Sequence, residues 1–354
     1  MDDASITMPD PQDLLNDALL QNLPVSNGKK QIGPVLIDAK LGAGGMGAVY
    51  LGRHTRLNLP VAVKIMSDAF TSSPEFKQRF EREAHLAVSI THTNLIRCYD
   101  FNIEAGLYYM ILEFIRGWNL LDLLKRRKGA GFSESEIYAV LTPVLDALAE
   151  IHRQKIVHRD IKPENVMVTE DGRVVTMDLG LAKVESNKDI NPSPDALSKL
   201  TMSGMALGTP WYMSPEQWTD AADVTIASDI WSIGVMMYQL ATSRIPWNTT
   251  TLNTVMMDVF KKDIPDPRTV APQLSEGFCE ILNHCVRKEP LDRPTALQLK
   301  ERFMRLEPQT PDGRFPFTID DERATVVLIP TVRVPASLGG TDKTLIYDAG
   351  STTT

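Results

Sequence analysis

The sequence predicts an α+β chain of two lobes, β-rich first and mainly helical second, and three observations lead there. Runs of β-branched and aromatic residues flank the stretch Leu41-Gly42-Ala43-Gly44-Gly45-Met46-Gly47-Ala48-Val49-Tyr50, so its glycines belong in a hairpin between strands. After the strand-like run Tyr108–Ile115, the hydrophobic period changes from that of a strand to that of a helix. Between Val157 and Asp178, carboxylates, an amide, an ammonium and a guanidinium gather around two short apolar runs, Val166-Met167-Val168 and Val174-Val175-Thr176. Such a density of polar groups between strands suits a loop that handles phosphate and metal.

Composition narrows the class. The chain has 354 residues, 43% of them apolar and 23% charged, which is enough for a sizeable core in a globular protein. A formal charge of −8 argues against a nucleic-acid-binding surface. Cys98, Cys279 and Cys285 have no metal-ligand spacing and read as reduced thiols. There is no 18-residue apolar run to span a membrane, and the start lacks the basic and apolar regions of a signal peptide. The expectation is a cytoplasmic protein.

Taken in order, residues 1–32 read as an acidic, loosely ordered extension that packs on the fold or not at all, whose apolar cluster, Leu14-Leu15 with Ala18-Leu19-Leu20, could make a helical turn or two. Order begins near Ile32. In the glycine hairpin, backbone N–H groups can approach phosphates because no Cβ intervenes. The strand Val61-Ala62-Val63-Lys64-Ile65 follows and carries one lysine. Ser73, Pro74 and Glu75 are start signals for a helix whose buried face is Phe76, Phe80, Ala84 and Ala87. Glu83 sits on the edge of that face, where a charge is costly unless paired, whereas Glu81 points away from it.

The second lobe opens with a long helix. Ser133-Glu134-Ser135-Glu136 is a capping box, and Ile137, Val140, Leu141, Val144, Leu145, Leu148 and Ile151 form the stripe that delivers the chain to His158. Pro143 predicts a kink near Thr142. Residues 181–208 have little periodicity and read as a long functional or disordered loop. The run from Ser228 to Met237 is apolar all round, as in a helix buried in a large core. The last helix ends near Leu306, and residues 307–354 read as a partly disordered, threonine-rich tail.

His158-Arg159-Asp160-Ile161-Lys162-Pro163-Glu164-Asn165, followed by Asp178-Leu179-Gly180, resembles the catalytic loop and metal-binding turn of the eukaryotic-like, bacterial-type serine/threonine protein kinases. Val61-Ala62-Val63-Lys64, His92-Thr93-Asn94, Gly208 to Glu216, Asp229 and Asp292-Arg293-Pro294 match further motifs in the right order, over about residues 33–305. Thr93 replaces a proline, Leu179 the phenylalanine of D-F-G, and Ser214 the alanine of A-P-E.

The resemblance implies the bilobal protein-kinase fold, with residues 33–115 as N-lobe and 116–306 as C-lobe. It also implies transfer of the ATP γ-phosphoryl group to Ser/Thr hydroxyls of protein substrates. Asp160 would accept the hydroxyl proton, Lys162 would face the γ-phosphate, and Asn165 and Asp178 would hold Mg²⁺. Lys64 would contact the α- and β-phosphates and pair with Glu83. Leu41, Gly42, Ala43, Gly44, Gly45, Met46, Gly47, Ala48, Val49, Ala62 and Met167 would surround the nucleotide. Backbone groups of Glu113 and Ile115 would bond adenine at a hinge, with Leu112 at the back of the pocket. Residues 181–208 would be the activation loop, with Thr201 or Ser203 phosphorylated and Arg159 pairing with the phosphate. Asp229 would brace the catalytic loop, and Arg293 would pair with Glu216. A phospho-dependent partner at this loop or at the tail is the sharper reading of those segments; a polar loop and a terminal segment are the plainer one.

Two other classes compete. A scaffold that keeps the fold without turnover is disfavoured because Lys64, Glu83, Asp160, Asn165 and Asp178 are all present. A small-molecule kinase would be expected to lack Pro215-Glu216 together with Asp229 and Arg293.

Overall fold

Alternating stretches between Val25 and Glu113 form a seven-stranded antiparallel sheet in a computed structural model that describes residues 11–44, 47–66, 81, 84, 88–178, 210–219, 223–247 and 251–306. The strands are β1 (Val25–Ser26), β2 (Lys29–Ile32), β3 (Val35–Gly44), β4 (Gly47–His54), β5 (Leu59–Met66), β6 (Cys98–Glu104) and β7 (Leu107–Glu113). Their order across the sheet is β1-β2-β3-β4-β5-β7-β6. Alternate residues go to opposite faces. Ala48, Tyr50, Val61, Val63, Ile65, Tyr109 and Ile111 pack on the outer face, and Val49, Leu51, Ala62, Met66, Met110 and Leu112 on the inner face. β3 carries a register shift between Ile37 and Ala39, which moves its later residues from the outer core to the inner one.

The sheet starts earlier than expected. Residues 11–32 make the expected turns, α1 (Pro11–Leu15) and a 3₁₀ turn at Ala18–Leu20, which pack on the sheet, and beyond that expectation they add β1 and β2 to the sheet itself. Leu14, Leu20, Leu23 and Ile32 are buried with the outer-face residues. Three leucines at irregular spacing have no helical or strand period, so their burial is legible only once the apolar outer face exists.

The second lobe is helical: α2 (Leu120–Arg126), α3 (Glu134–Arg153), α4 (Pro215–Thr219), α5 (Ile226–Thr242), α6 (Leu252–Lys261), α7 (Glu276–Cys285) and α8 (Ala296–Leu306). The capping box is formed, with Ser133 and Glu136 exchanging backbone bonds. α3 is continuous through Pro143, where a kink was expected. A proline interrupts only one N–H bond, and burial of Leu141, Val144, Leu145 and Leu148 on the helix face outweighs that loss. The Thr142 hydroxyl also donates to the Tyr138 carbonyl at 2.8 Å. α5 is buried from Ser228 to Thr242, as an all-apolar helix requires, and Thr225 and Ser228 cap its start.

A small three-stranded sheet, β8 (Gly117–Asn119), β9 (Val166–Thr169) and β10 (Val174–Thr176), carries the polar loop between the lobes. It is tied to the first lobe by the turn at His92. Asn94 donates its side-chain amide to the Val174 carbonyl at 2.8 Å, and its own carbonyl accepts from Thr176 N–H at 2.8 Å. Thr93 in the proline place leaves this turn intact.

Candidate functional site

The site lies where the inner face of the large sheet meets β9 and β10. Leu41, Val49, Ala62, Leu112, Ile115, Met167, Val175 and Met177 form one apolar cluster drawn from both lobes. Residues from four separated stretches therefore line a single surface. The glycine hairpin closes over it, with Gly42 paired to Val49, Ala43 to Ala48 and Gly44 to Gly47. Gly45 and Met46 lie outside the described residues.

Gly47 needs to be glycine because of its protein neighbours. Its φ is +139°, and a Cβ there would collide with the Ile65 carbonyl oxygen and lie 2.9 Å from Met66 Cα. Gly47→Ala is expected to destabilise the protein by about 1–3 kcal/mol through strain and backbone displacement. Thermal unfolding checks this; an unchanged midpoint would remove the steric argument.

Lys64, on the same inner face as Ala62, points down to the turn at Asp178. Its Nζ forms an ion pair with Asp178 Oδ1 at 2.6 Å. Glu83, the expected partner, lies outside the described residues, as do Leu179, Thr201 and Ser203. The Ala84 beside it is fully buried, in agreement with its place on an apolar helix face.

The polar loop is held by an unusually dense set of bonds. Asp229, fully buried at the start of α5, accepts from His158 N–H at 2.9 Å and Arg159 N–H at 2.8 Å, and lies 2.8 Å from His152 Nε2. These bonds hold Arg159 at a φ of +66°, and Asp178 sits at +44°. Left-handed backbone at a non-glycine residue costs roughly 1–3 kcal/mol and persists where surrounding contacts over-determine it. Gln217 adds a bond from its side-chain amide to the Arg159 carbonyl at 3.3 Å.

His158 is a structural member. Burial lowers its pKa, against the pull of Asp229 and Asp160, so the imidazole is neutral. Its Nε2 donates to the Met177 carbonyl at 2.9 Å, which leaves Nδ1 to accept from Asp160 N–H at 3.4 Å. The ring thus joins the loop to the residue before Asp178.

Asp160 and Lys162 face one another, with Nζ 3.2 Å from Oδ2. Burial works against charge on Lys162, yet the carboxylates of Asp160 and Glu164 outweigh it and leave its pKa raised. The ammonium is therefore kept charged in a site where it counts for more than in water.

Asn165 is fully buried. Its Nδ2 donates to the Asp160 carbonyl at 2.7 Å, and its backbone carbonyl accepts from Met177 N–H at 2.7 Å. Its Oδ1 is buried without a hydrogen-bond partner. A buried amide oxygen left unsatisfied is costly, so this atom calls for a ligand of its own. An oxygen-preferring divalent cation shared with the Asp178 carboxylate fits that donor set. No group of three or more His, Cys, Asp or Glu that could hold a metal ion occurs among the described residues.

At the end of β7, the Glu113 N–H is donated to the Arg97 carbonyl at 2.9 Å, so any bond from Glu113 to a base would come from its carbonyl. Its side chain pairs with Arg173, in the turn between β9 and β10. Arg173 and His152 were not predicted as site supports, and nothing in the local pattern singles them out. Their partners lie 60 and 77 positions away in the chain.

Farther from the chemistry, Arg293 Nη1 donates to Glu216 Oε1 at 2.6 Å and Nη2 to Oε2 at 3.0 Å. Ser228 hydroxyl adds a third bond to Glu216, 2.6 Å long.

A family model described as protein kinase domain matches residues 36–304. Serine/threonine-protein kinase PknL of Mycobacterium tuberculosis is 32% identical over 258 residues, covering 73% of this chain and 61% of that protein. Serine/threonine-protein kinase Pkn1 of Myxococcus xanthus is 35% identical over 258 residues, covering 72% of this chain and 35% of that protein. For serine/threonine-protein kinase PrkC of Bacillus subtilis the values are 29% over 266 residues, 75% and 39%. The chain therefore spans about three fifths or less of the length of these relatives, 61% at most. The kinase domain of Mycobacterium tuberculosis PknI shares the fold, with a TM-score of 0.62 at 21% identity, covering 80% of this chain and 100% of that one. No helix among the described residues is long and apolar enough to cross a membrane.

Proposed function

The chain belongs to the protein kinase domain family, and on that premise we propose that it transfers the ATP γ-phosphoryl group to Ser or Thr hydroxyls of protein substrates. The observation that carries the proposal is the convergence of Lys64, Asp160, Lys162, Asn165 and Asp178, with the Asn165 Oδ1 buried and unsatisfied beside them.

Each residue then has a task. The apolar cluster of Leu41, Val49, Ala62, Ile115 and Met167 receives the base, and the glycine hairpin and Lys64 take the phosphates. Asn165 Oδ1 and Asp178 would hold Mg²⁺, which when bound neutralises charge on the phosphate oxygens. Asp160 orients the substrate hydroxyl and accepts its proton as the new O–P bond forms and the bond to the β-phosphate oxygen breaks, releasing ADP. Lys162, kept charged by Asp160, meets the negative charge of the transferred group. Positioning and charge do most of the catalysis, because such transfer asks little covalent chemistry of the protein.

The loop preceding Pro210 supplies the regulatory part of the reading: autophosphorylation on Thr201 or Ser203, with Arg159 receiving the phosphate. Labelled ATP with Mg²⁺, followed by mass spectrometry of the product, tests both parts. Label on Thr201 or Ser203 is the expected result. Label only elsewhere, such as the threonine-rich tail, leaves the enzyme and sinks the loop assignment. ADP binding without any transfer to itself or to generic protein substrates sinks the enzyme.

A further inference from the structure

We infer that Asp17 is a positioning residue for the glycine hairpin, and that residues 14–23 hold the hairpin's root where nucleotide binding needs it; this rests on the phosphoryl transfer proposed above. Asp17 is itself firmly placed. Its backbone carbonyl accepts from Leu20 N–H at 3.0 Å and its Oδ1 from Leu19 N–H at 3.0 Å, so it caps the 3₁₀ turn that buries Leu20. Leu14, Leu20 and Leu23 cover the outer face of the sheet around it. Buried Lys30 ties the far end to β2, donating to the Gln21 and Leu23 carbonyls at 3.0 and 3.1 Å.

From this anchor the Asp17 carboxylate reaches both strands of the hairpin. Oδ2 pairs with Lys40 Nζ at 2.7 Å, and Oδ1 accepts from the Tyr50 hydroxyl at 3.0 Å. Lys40 and Tyr50 are direct partners across β3 and β4, the last before the register shift at Leu41. Beyond that point the ribbon is Gly42, Ala43 and Gly44 against Gly47, Ala48 and Val49, with few side chains to stiffen it. The β4 arm is held by β5, through Gly47 with Met66, Ala48 with Ile65 and Val49 with Lys64, whereas Gly42, Ala43 and Gly44 of the β3 arm pair with β4 alone, so the position of the β3 arm is sensitive to how its root is held. Leu41 and Val49, next to that root, turn to the inner face and join Ala62, Ile115 and Met167. Asp17 therefore grips the root from outside while a nucleotide base would touch it from inside.

Tyr50 is fully buried, and burial and the Asp17 carboxylate hold its hydroxyl well above the usual tyrosine range, so it remains a donor. Without the carboxylate, Lys40 loses its anchor and the pair at the root loses the bond that joins it to the outer layer. No residue of the phosphate or metal machinery takes part.

Asp17→Asn tests this in the full chain, because asparagine keeps the size and the capping oxygen and removes only the charge. With ADP and Mg²⁺ in titration calorimetry, and ATP and casein in steady-state assays, the ADP Kd and the KM for ATP are expected to rise about three- to tenfold. The kcat and the KM for casein should stay within about twofold, as for a group that acts through nucleotide placement. Lys40→Gln, which breaks the same pair from its exposed side, should give the same split and add little in the double variant. Unchanged ADP Kd and KM for ATP in both variants would overturn the inference. So would a fall in kcat and melting temperature with KM unmoved, which is the mark of a strap that only stabilises. Weakened ADP binding in an otherwise inert protein would uphold Asp17 and reject the transfer reaction instead.

Discussion

Asp160→Asn is expected to lower phosphoryl transfer by about 10²–10⁴-fold while changing ADP affinity by no more than about twofold, because the lost carboxylate acts on the hydroxyl and not on the nucleotide. The substitution is unusually clean here. The Asp160 N–H and carbonyl, which bond His158 Nδ1 and Asn165 Nδ2, are backbone groups and survive the change. The side-chain oxygen facing Lys162 at 3.2 Å also survives, as an amide oxygen. What disappears is the proposed proton acceptor and its negative charge. Lys162 loses the largest influence holding it charged in a buried place, so part of the loss should appear as a downward shift of the Lys162 pKa. A rate within tenfold of the parent protein would reject Asp160 as the base.

Arg293→Ala should destabilise the fold by about 3–5 kcal/mol, since it strands the Glu216 carboxylate in the interior. All five guanidinium N–H groups are used. Two go to Glu216, and the others go to the Ala227 carbonyl at 3.0 Å, the Lys288 carbonyl at 2.9 Å and the Arg287 carbonyl at 2.7 Å. The guanidinium carbon also lies 5.1 Å from the centre of the Trp231 ring, which itself stacks on Trp247. In a chain of this size the melting temperature should fall by roughly 10 °C. Arg293→Met combined with Glu216→Gln should recover much of the loss, because no unpaired charge remains. A melting temperature equal to the parent's would sink the argument.

The same pair sets an acid limit. Burial alone would raise the Glu216 pKa, but the Arg293 and Ser228 bonds outweigh it and hold the carboxyl below its ordinary 4.5. A depressed carboxyl contributes stability that is fully present above 4.5 and is lost as pH falls through the folded value. In Glu216→Gln the unfolding free energy should therefore vary less steeply with pH below 4.5 than in the parent.

Much of the site was legible because local rules govern it. Val61 to Ile65 alternates, so once Ala62 faces inward Lys64 must as well. Ser133 and Glu136 announce the helix that ends at the polar loop, and the capping box forms as written. The order of the motifs placed Asp160, Lys162, Asn165 and Asp178 in one loop region, and they meet there.

Less of the supporting frame could be read. Pro143 marked a kink, and nothing local showed that α3 would stay continuous through it. The Glu113–Arg173 and His152–Asp229 contacts join residues far apart in the chain, and no spacing encodes them. The first 32 residues lacked periodicity and read as an appendage.

By itself, then, the sequence determined the order of the strands and helices, the chemical roles on offer and the two-lobed class, because alternation, capping and turn chemistry act over a few residues. Tertiary structure alone decided that Leu14, Leu20 and Leu23 form a layer of the first lobe, and that Asp17 reaches Lys40 and Tyr50. Burial is a property of the face a residue meets, and the outer face of this sheet exists only after strands separated by some 50 residues have paired.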